Sequence, residues 1–200
     1  MKKYNVMITS IGGDLSPYLI DYLKTKSIHK DLNIIGIDNK ETVLGQYFSD
    51  DFEKVPLGDS SKYITKIIKL IKKYKINLII PTSDEEALNL SKNRSKIEKL
   101  GVTLVATEYK NLKIFSDKAK TYQKMSELNF SIPKWYEAKN KKDLLKFTND
   151  FIKTNKNFII KPSSTRGSRG FSVITKKSSL RNLAEKYKNL YPLIISEQLF

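Results

Sequence analysis

Cysteine is absent from the 200-residue sequence, which removes disulfide staples, thiolate nucleophiles and cysteine metal sites together. Histidine occurs once, at His29 in a polar turn beside Lys30 and Asp31, a poor place for a ligand or a catalytic base. Arginine is confined to Arg94, Arg166, Arg169 and Arg181, so the formal charge of +16 is nearly all lysine. Long apolar runs are missing too, and no stretch could span a bilayer. The basic start "MKKYNVMITSIGGD" carries an apolar run too short, and too broken by Asn5, Thr9, Ser10 and its glycines, for a signal peptide. A soluble, cytoplasmic protein with no membrane partner is the expectation.

What is present is 40% apolar sequence, enough for one substantial core or two modest ones. Across Lys62 to Lys75, Ile64, Ile67, Ile68 and Ile71 fall at i, i+3, i+4, i+7, predicting a helix with those four on its buried face. Lys62, Lys66, Lys69, Lys72 and Lys73 take the other faces. Without arginine or aromatic interleaving this is a solvated helix, and no specific nucleic-acid partner is expected.

The first half alternates short β-branched runs with helical patterns, as βαβ units of a parallel sheet do. Strands are expected at Tyr4 to Thr9, Leu32 to Asp38, Asn77 to Pro81 and Val102 to Ala106, with helices over Leu15 to Ser27, Lys62 to Tyr74 and Glu85 to Leu100. From about Tyr109 the order changes. Helices over Asp117 to Leu128, Lys141 to Thr154 and Ser178 to Leu190 are interleaved with strands at Lys134 to Glu137, Asn157 to Pro162, Phe171 to Thr175 and Leu193 to Leu199. The expected fold is therefore α/β: a Rossmann-like parallel-sheet domain over residues 1–112, then an α+β subdomain over 113–200.

Three stretches carry candidate chemistry. "TSIGGD", Thr9 to Asp14, lies where a dinucleotide fold puts its phosphate turn, and Asp38 ends the second strand where a ribose-binding acid would belong. Gly12 and Gly13 are adjacent, however, and no G-x-G-x-x-G can be drawn, so a tight strand-to-helix turn is the first reading. "PTSDEEA", Pro81 to Ala87, puts Asp84 and Glu85 at a carboxyl edge as substrate-side candidates, although Ser83 with Glu86 also makes a capping box. The third, "IIKPSSTRGSRGF", sets Lys161 at the end of an apolar strand and follows it with hydroxyls, glycines and two arginines, the ingredients of a phosphate-binding nest. G-K-[ST] is missing and a strand follows, so this is a flap on a hairpin and not a P-loop.

The ordered set resembles the ATP-grasp superfamily, close to the carbamoyl-phosphate synthase large-chain type of ligase. "SDKAKTYQKMSELNFSIPKW" is similar to the helix and proline-bearing strand that open the ATP-grasp domain, "FIIKPSSTRGSRG" to its strand lysine and flap, and "LIISEQLF" to its hinge strand; "ITSIGGDLSPYLIDYLK" with "IIGIDN" resembles the preATP-grasp domain. The resemblance covers essentially the whole chain. It implies a preATP-grasp domain over 1–112 and the amino-terminal part of an ATP-grasp domain over 113–200. By it, Lys118 and Lys161 contact phosphate, and Ser163, Ser164, Thr165, Arg166, Gly167, Ser168, Arg169 and Gly170 cover the phosphates. The segment Glu197, Gln198, Leu199 and Phe200 reads adenine through its backbone. The implied activity is that of a carboxylate–amine ligase using ATP and Mg²⁺, which activates a small-molecule carboxylate as an acylphosphate for attack by an amine, with a homodimer as an open option. In the family the metal ligands follow the hinge, so they are expected beyond residue 200, and a chain ending there would catalyse little. A non-catalytic nucleotide- or ligand-binding module is the alternative.

Overall fold

The computed structural model describes residues 4–26, 31–154, 157–164, 169–175 and 181–199, and divides into two compact units, Met1–Leu112 and Lys113–Phe200. His29, Thr165, Arg166, Gly167, Ser168 and Phe200 lie outside the described residues.

The first unit holds a five-stranded parallel sheet of β1 (Tyr4–Ile8), β2 (Leu32–Asp38), β3 (Asp51–Lys54), β4 (Leu78–Ile80) and β5 (Thr103–Leu104), in the order β3-β2-β1-β4-β5. Its central strands read as continuous apolar runs because both faces are covered. Met7, Ile35, Ile37 and Ile79 pack into one layer with Tyr63, Ile67, Leu70, Leu90 and Ile97, whereas Val6, Ile8 and Ile34 pack into the other with Ile20 and Val43. Helices α1 (Ser16–Lys26), α2 (Tyr63–Tyr74), α3 (Asp84–Lys92) and α4 (Arg94–Glu98), with a short 3-10 turn at Leu44–Tyr47, connect the strands. The strand order reverses between β1 and β4, so the turns after these two strands share the sheet's ligand-binding edge.

Three local expectations shift. The helix expected from Glu85 to Leu100 breaks at Asn93, whose amide bonds back to the Asn89 carbonyl and competes with the helical ladder. The buried face of α2 is Tyr63, Ile67, Leu70 and Ile71, with Ile64 and Ile68 only partly covered, because the Tyr63 phenol is drawn inward to Glu86. Strand β3 is an addition: "DFEK" has a single apolar residue, enough for an edge strand paired to β2 alone.

In chain order, α5 (Tyr109–Phe115) follows β5. The second unit is an antiparallel sheet of β6 (Trp135–Ala138), β7 (Phe158–Pro162), β8 (Ser172–Ile174) and β9 (Leu193–Glu197), ordered β6-β9-β7-β8, with helices α6 (Lys118–Glu127), α7 (Lys141–Lys153) and α8 (Arg181–Lys186). Alternation along the strands sorts the two faces. Phe158, Ile160, Ile174, Leu193 and Ile195 join Leu144, Phe151, Leu183 and Tyr187 in the core. The opposite face carries a row straight across all four strands, Trp135, Ser196, Ile159 and Val173, each directly paired with the next.

Candidate functional site

The turn after β1 is closed upon itself. The backbone N–H of Ile11 donates to the Ile37 carbonyl at 3.2 Å, that of Gly12 to Asp38 Oδ2 at 2.8 Å, that of Gly13 to the Ser10 carbonyl at 3.1 Å and that of Ser16 to the Gly13 carbonyl at 3.0 Å. Glu86, buried in the first turn of α3, accepts from the hydroxyls of Thr9 (2.6 Å), Ser10 (2.5 Å), Ser83 (2.9 Å) and Tyr63 (3.2 Å). Burial first, and then the neighbouring Glu86 carboxyl, push the Tyr63 phenol far above its ordinary value. Ser10 takes a left-handed φ of 49° within this net. A Cβ on Gly12 would come within 2.9 Å of Asp38 Oδ2 and Val43 Cγ1, so this glycine is needed for packing. Asp38, 5% exposed, holds the turn with one carboxylate oxygen and the Lys40 N–H with the other. Asp84 and Glu85 are exposed on α3, which Ser83 caps by accepting from the Glu86 N–H at 3.4 Å, one half of the expected capping box, while the Glu86 carboxylate accepts from the Ser83 hydroxyl.

The second unit holds an open pocket of about 310 Å³. Its floor comes from the cross-strand row, with Ser196, Ile159 and Val173 lining it; Tyr122 of α6, Pro133 and Phe171 form apolar walls, and Glu197, Gln198 and Leu199 close one side. Two polar atoms here are buried without a partner among the described residues: the Ser196 hydroxyl, on a residue with no exposure at all, and Gln198 Oε1. A buried polar group left unpaired costs about 1–3 kcal/mol, so this pair marks where a ligand's hydrogen bonds would be recovered.

Lysine 161 lies two residues beyond Ile159 and therefore on the pocket face of β7. Its ammonium donates to Tyr122 Oη at 3.4 Å and sits 5.4 Å from that ring's centre. Lys118 opens α6. Its backbone N–H and its ammonium both donate to the Ser163 carbonyl, at 3.0 and 3.3 Å, which ties the start of α6 to the root of the glycine loop. The Ser163 side chain reinforces the tie by donating to Asp117 Oδ1 at 2.6 Å and accepting from the Ala119 N–H at 3.3 Å, while its backbone N–H reaches the Pro192 carbonyl. Asp117 caps α6 by accepting from the N–H groups of Ala119 and Lys120. Burial alone would raise its carboxyl, but the bonds from Ser163 and Lys120 together bring it below the ordinary carboxylate value.

Helix α6 and the root of the loop, 45 residues apart in sequence, thus meet at Ser163. Ser164 and Arg169 are exposed, and Gly170 turns the chain into β8 with a φ of 77° that favours glycine. In the segment Glu197 to Leu199, the N–H groups of Glu197 and Gln198 donate to the carbonyls of Lys134 and Asn157. The sequence reading missed Tyr122, Pro133, Ile159, Phe171, Val173 and Ser196 as pocket residues, although the alternation in "FIIKP" places Ile159 beside Lys161.

A parallel-sheet domain followed by an antiparallel subdomain is a fold that this chain shares with solved ligase and carboxylase structures. The chain matches over 99% of its length a Staphylococcus aureus N5-carboxyaminoimidazole synthetase complexed with ADP, with a TM-score of 0.73 at 14% identity. It matches over its full length the biotin carboxylase domain of the Hydrogenobacter thermophilus 2-oxoglutarate carboxylase, described as a dimer with MgADP and bicarbonate (TM-score 0.65, 16% identity), and an L-amino acid ligase from Bacillus licheniformis (TM-score 0.65, 11% identity). It spans 48%, 45% and 45% of those three chains. Residues 6–105 match the PylC-like N-terminal domain family, and the chain belongs to that family. A sequence search of curated proteins gives no match.

Proposed function

We propose that this chain binds ATP in the second unit's pocket, as the amino-terminal portion of an ATP-dependent carboxylate–amine ligase. The observation that carries the reading is the pairing of an apolar slot with two unpartnered buried polar atoms, Ser196 Oγ and Gln198 Oε1, on the sheet face that also bears Lys161. A flat heteroaromatic base would stack between Tyr122, Ile159 and Val173 and complete the hydrogen bonding of Ser196 and Gln198 with its edge. Lys161 and Lys118 would neutralise phosphate charge, and the segment from Ser163 to Gly170 would cover it and exclude water.

Bound ATP supplies the phosphoryl group that turns a carboxylate into an acylphosphate, which an amine then attacks. Among the described residues no group of three or more His, Cys, Asp or Glu side chains converges to hold a metal ion, so no magnesium contact is assigned to them. Calorimetric titration with ATP and with ADP tests the reading. Saturable binding that Ser196→Ala weakens is expected; an absence of heat at millimolar nucleotide would overturn it.

A further inference from the structure

An open cleft of about 660 Å³ lies in the first unit, lined on one side by the chain leaving β3 and on the other by the start of α2. Four lysines border it: Lys54 from the strand's end, and Lys62, Lys66 and Lys69 from the helix. The three helical positions fall at i, i+4 and i+7 and so share one face. Val55, 3% exposed, and Pro56 give the cleft an apolar side, and Ser61 and Thr65 add hydroxyls.

Two of the four cations are already matched. Lys54 pairs with Glu41 at 2.7 Å and Lys66 with Glu53 at 2.9 Å. Both oxygens of Glu53 are engaged, since Lys73 and the Tyr74 hydroxyl donate to the second one. The ammonium groups of Lys62 and Lys69 make no hydrogen bond and no ion pair among the described residues. Their setting is unfavourable for a cation. Lys62 stands at the N-cap of α2 with no side-chain cap bond, and no acidic residue follows in the first turn. An N-cap ordinarily carries Ser, Thr, Asp or Asn, and the positive end of the helix dipole repels a lysine. A local conflict of this kind is what a binding site imposes on a fold, and an anion held between the lysines would relieve it.

The lining also narrows the ligand. Among the described residues that border the cleft there is no arginine and no aromatic ring, so it offers neither bidentate readout nor a stacking surface for bases, and lysine meets phosphate as a point charge. Lys62 and Lys69 are seven residues apart, about 10 Å along a helix axis, a span suited to two phosphates at the ends of one molecule. The volume falls within the roughly 300–1,000 Å³ of small-molecule sites, and hydroxyls beside an apolar side suit a hydroxylated carbon body.

We propose that this cleft binds a small organic bisphosphate, with its two phosphates on Lys62 and Lys69. The site lies wholly within the first unit and does not rest on the nucleotide reading of the second.

Calorimetric titration of the chain at physiological salt, with fructose 1,6-bisphosphate as the probe, tests the proposal. Saturable binding is expected, with glucose 6-phosphate weaker by about tenfold and inorganic phosphate weaker still. Lys62→Ala and Lys69→Ala, both on exposed side chains, should each weaken the bisphosphate about tenfold or more. Lys72→Ala removes the same charge from the same helix outside the cleft and should leave the affinity unchanged, as should Lys161→Ala, so that loss of nucleotide binding and loss of bisphosphate binding are read separately. Absence of saturable binding at millimolar bisphosphate would overturn the proposal, as would equal affinity for inorganic phosphate, an equal loss in Lys72→Ala, or a loss in Lys161→Ala that moves the probe to the other unit's pocket.

Discussion

The turns after β1 and after β7 are built from the same residue types, hydroxyls and paired glycines at the end of an apolar strand, yet they face opposite ways chemically. In the first, backbone donors are consumed inside the turn, and the hydroxyls of Thr9 and Ser10 end on Glu86. In the second, the root is fastened through Ser163 to Asp117, Ala119 and Pro192, beside a pocket that still holds two polar atoms unpartnered among the described residues. The difference teaches that glycine and serine content does not define an anion site; what matters is whether the fold already supplies acceptors for the donors.

The largest expected effect comes from removing the acceptor that closes the first turn. Glu86→Ala strands four hydroxyl donors and should cost about 3–5 kcal/mol in urea unfolding while leaving ATP affinity unchanged. A loss under about 1 kcal/mol would mean that the net around Glu86 is not what shuts the turn. Next in size, Lys161→Ala and Lys118→Ala should each lose about 1.5–3 kcal/mol of nucleotide binding, tenfold or more in Kd by calorimetry. Unchanged affinity in both variants would make the second turn as inert as the first.

A smaller effect separates the roots of the two turns by pH. The Asp117 carboxyl is lowered in the folded protein, so its contribution is complete above the unfolded value of 3.8 and disappears as pH falls below that through the folded value. Asp117→Asn should therefore lose about 0.5–1 kcal/mol at neutral pH and converge with wild type in acid. A constant gap down the acid limb would assign the loss to geometry instead. Smallest of all is Gly13→Ala: the new Cβ would meet the Ser10 carbonyl at 3.5 Å and Ser16 Oγ at 3.7 Å, ordinary contacts, and stability should move by no more than about 0.5 kcal/mol. A phosphate nest would not tolerate that methyl group, so any loss of ATP affinity in this variant would reopen the first turn as a binding site.

The parallel sheet was readable because its central strands are short, largely apolar runs rich in isoleucine and valine, and β7 because three apolar residues lead into its lysine. The closed state of the first turn was not readable: Glu86 lies 77 residues from Thr9, and a capping-box glutamate accounts for itself locally without hinting at three further donors. Strand β3 escaped notice for a different reason, since an edge strand needs one neighbour and little apolar sequence. Ser196 was hidden by its surroundings. In "LIISEQ" it looks like a polar break, and only the register across Trp135, Ile159 and Val173 turns that break into the centre of a pocket floor.

That same row has a practical consequence. Its first member, Trp135, is the sole tryptophan beside eleven tyrosines, and its ring lies 5.3 Å from that of Tyr122, the wall of the pocket that also carries the Lys161 cation. Excitation at the red edge of the protein absorption therefore selects one indole at the rim of the pocket. The chain carries a built-in optical reporter of whatever settles there, and no label is required.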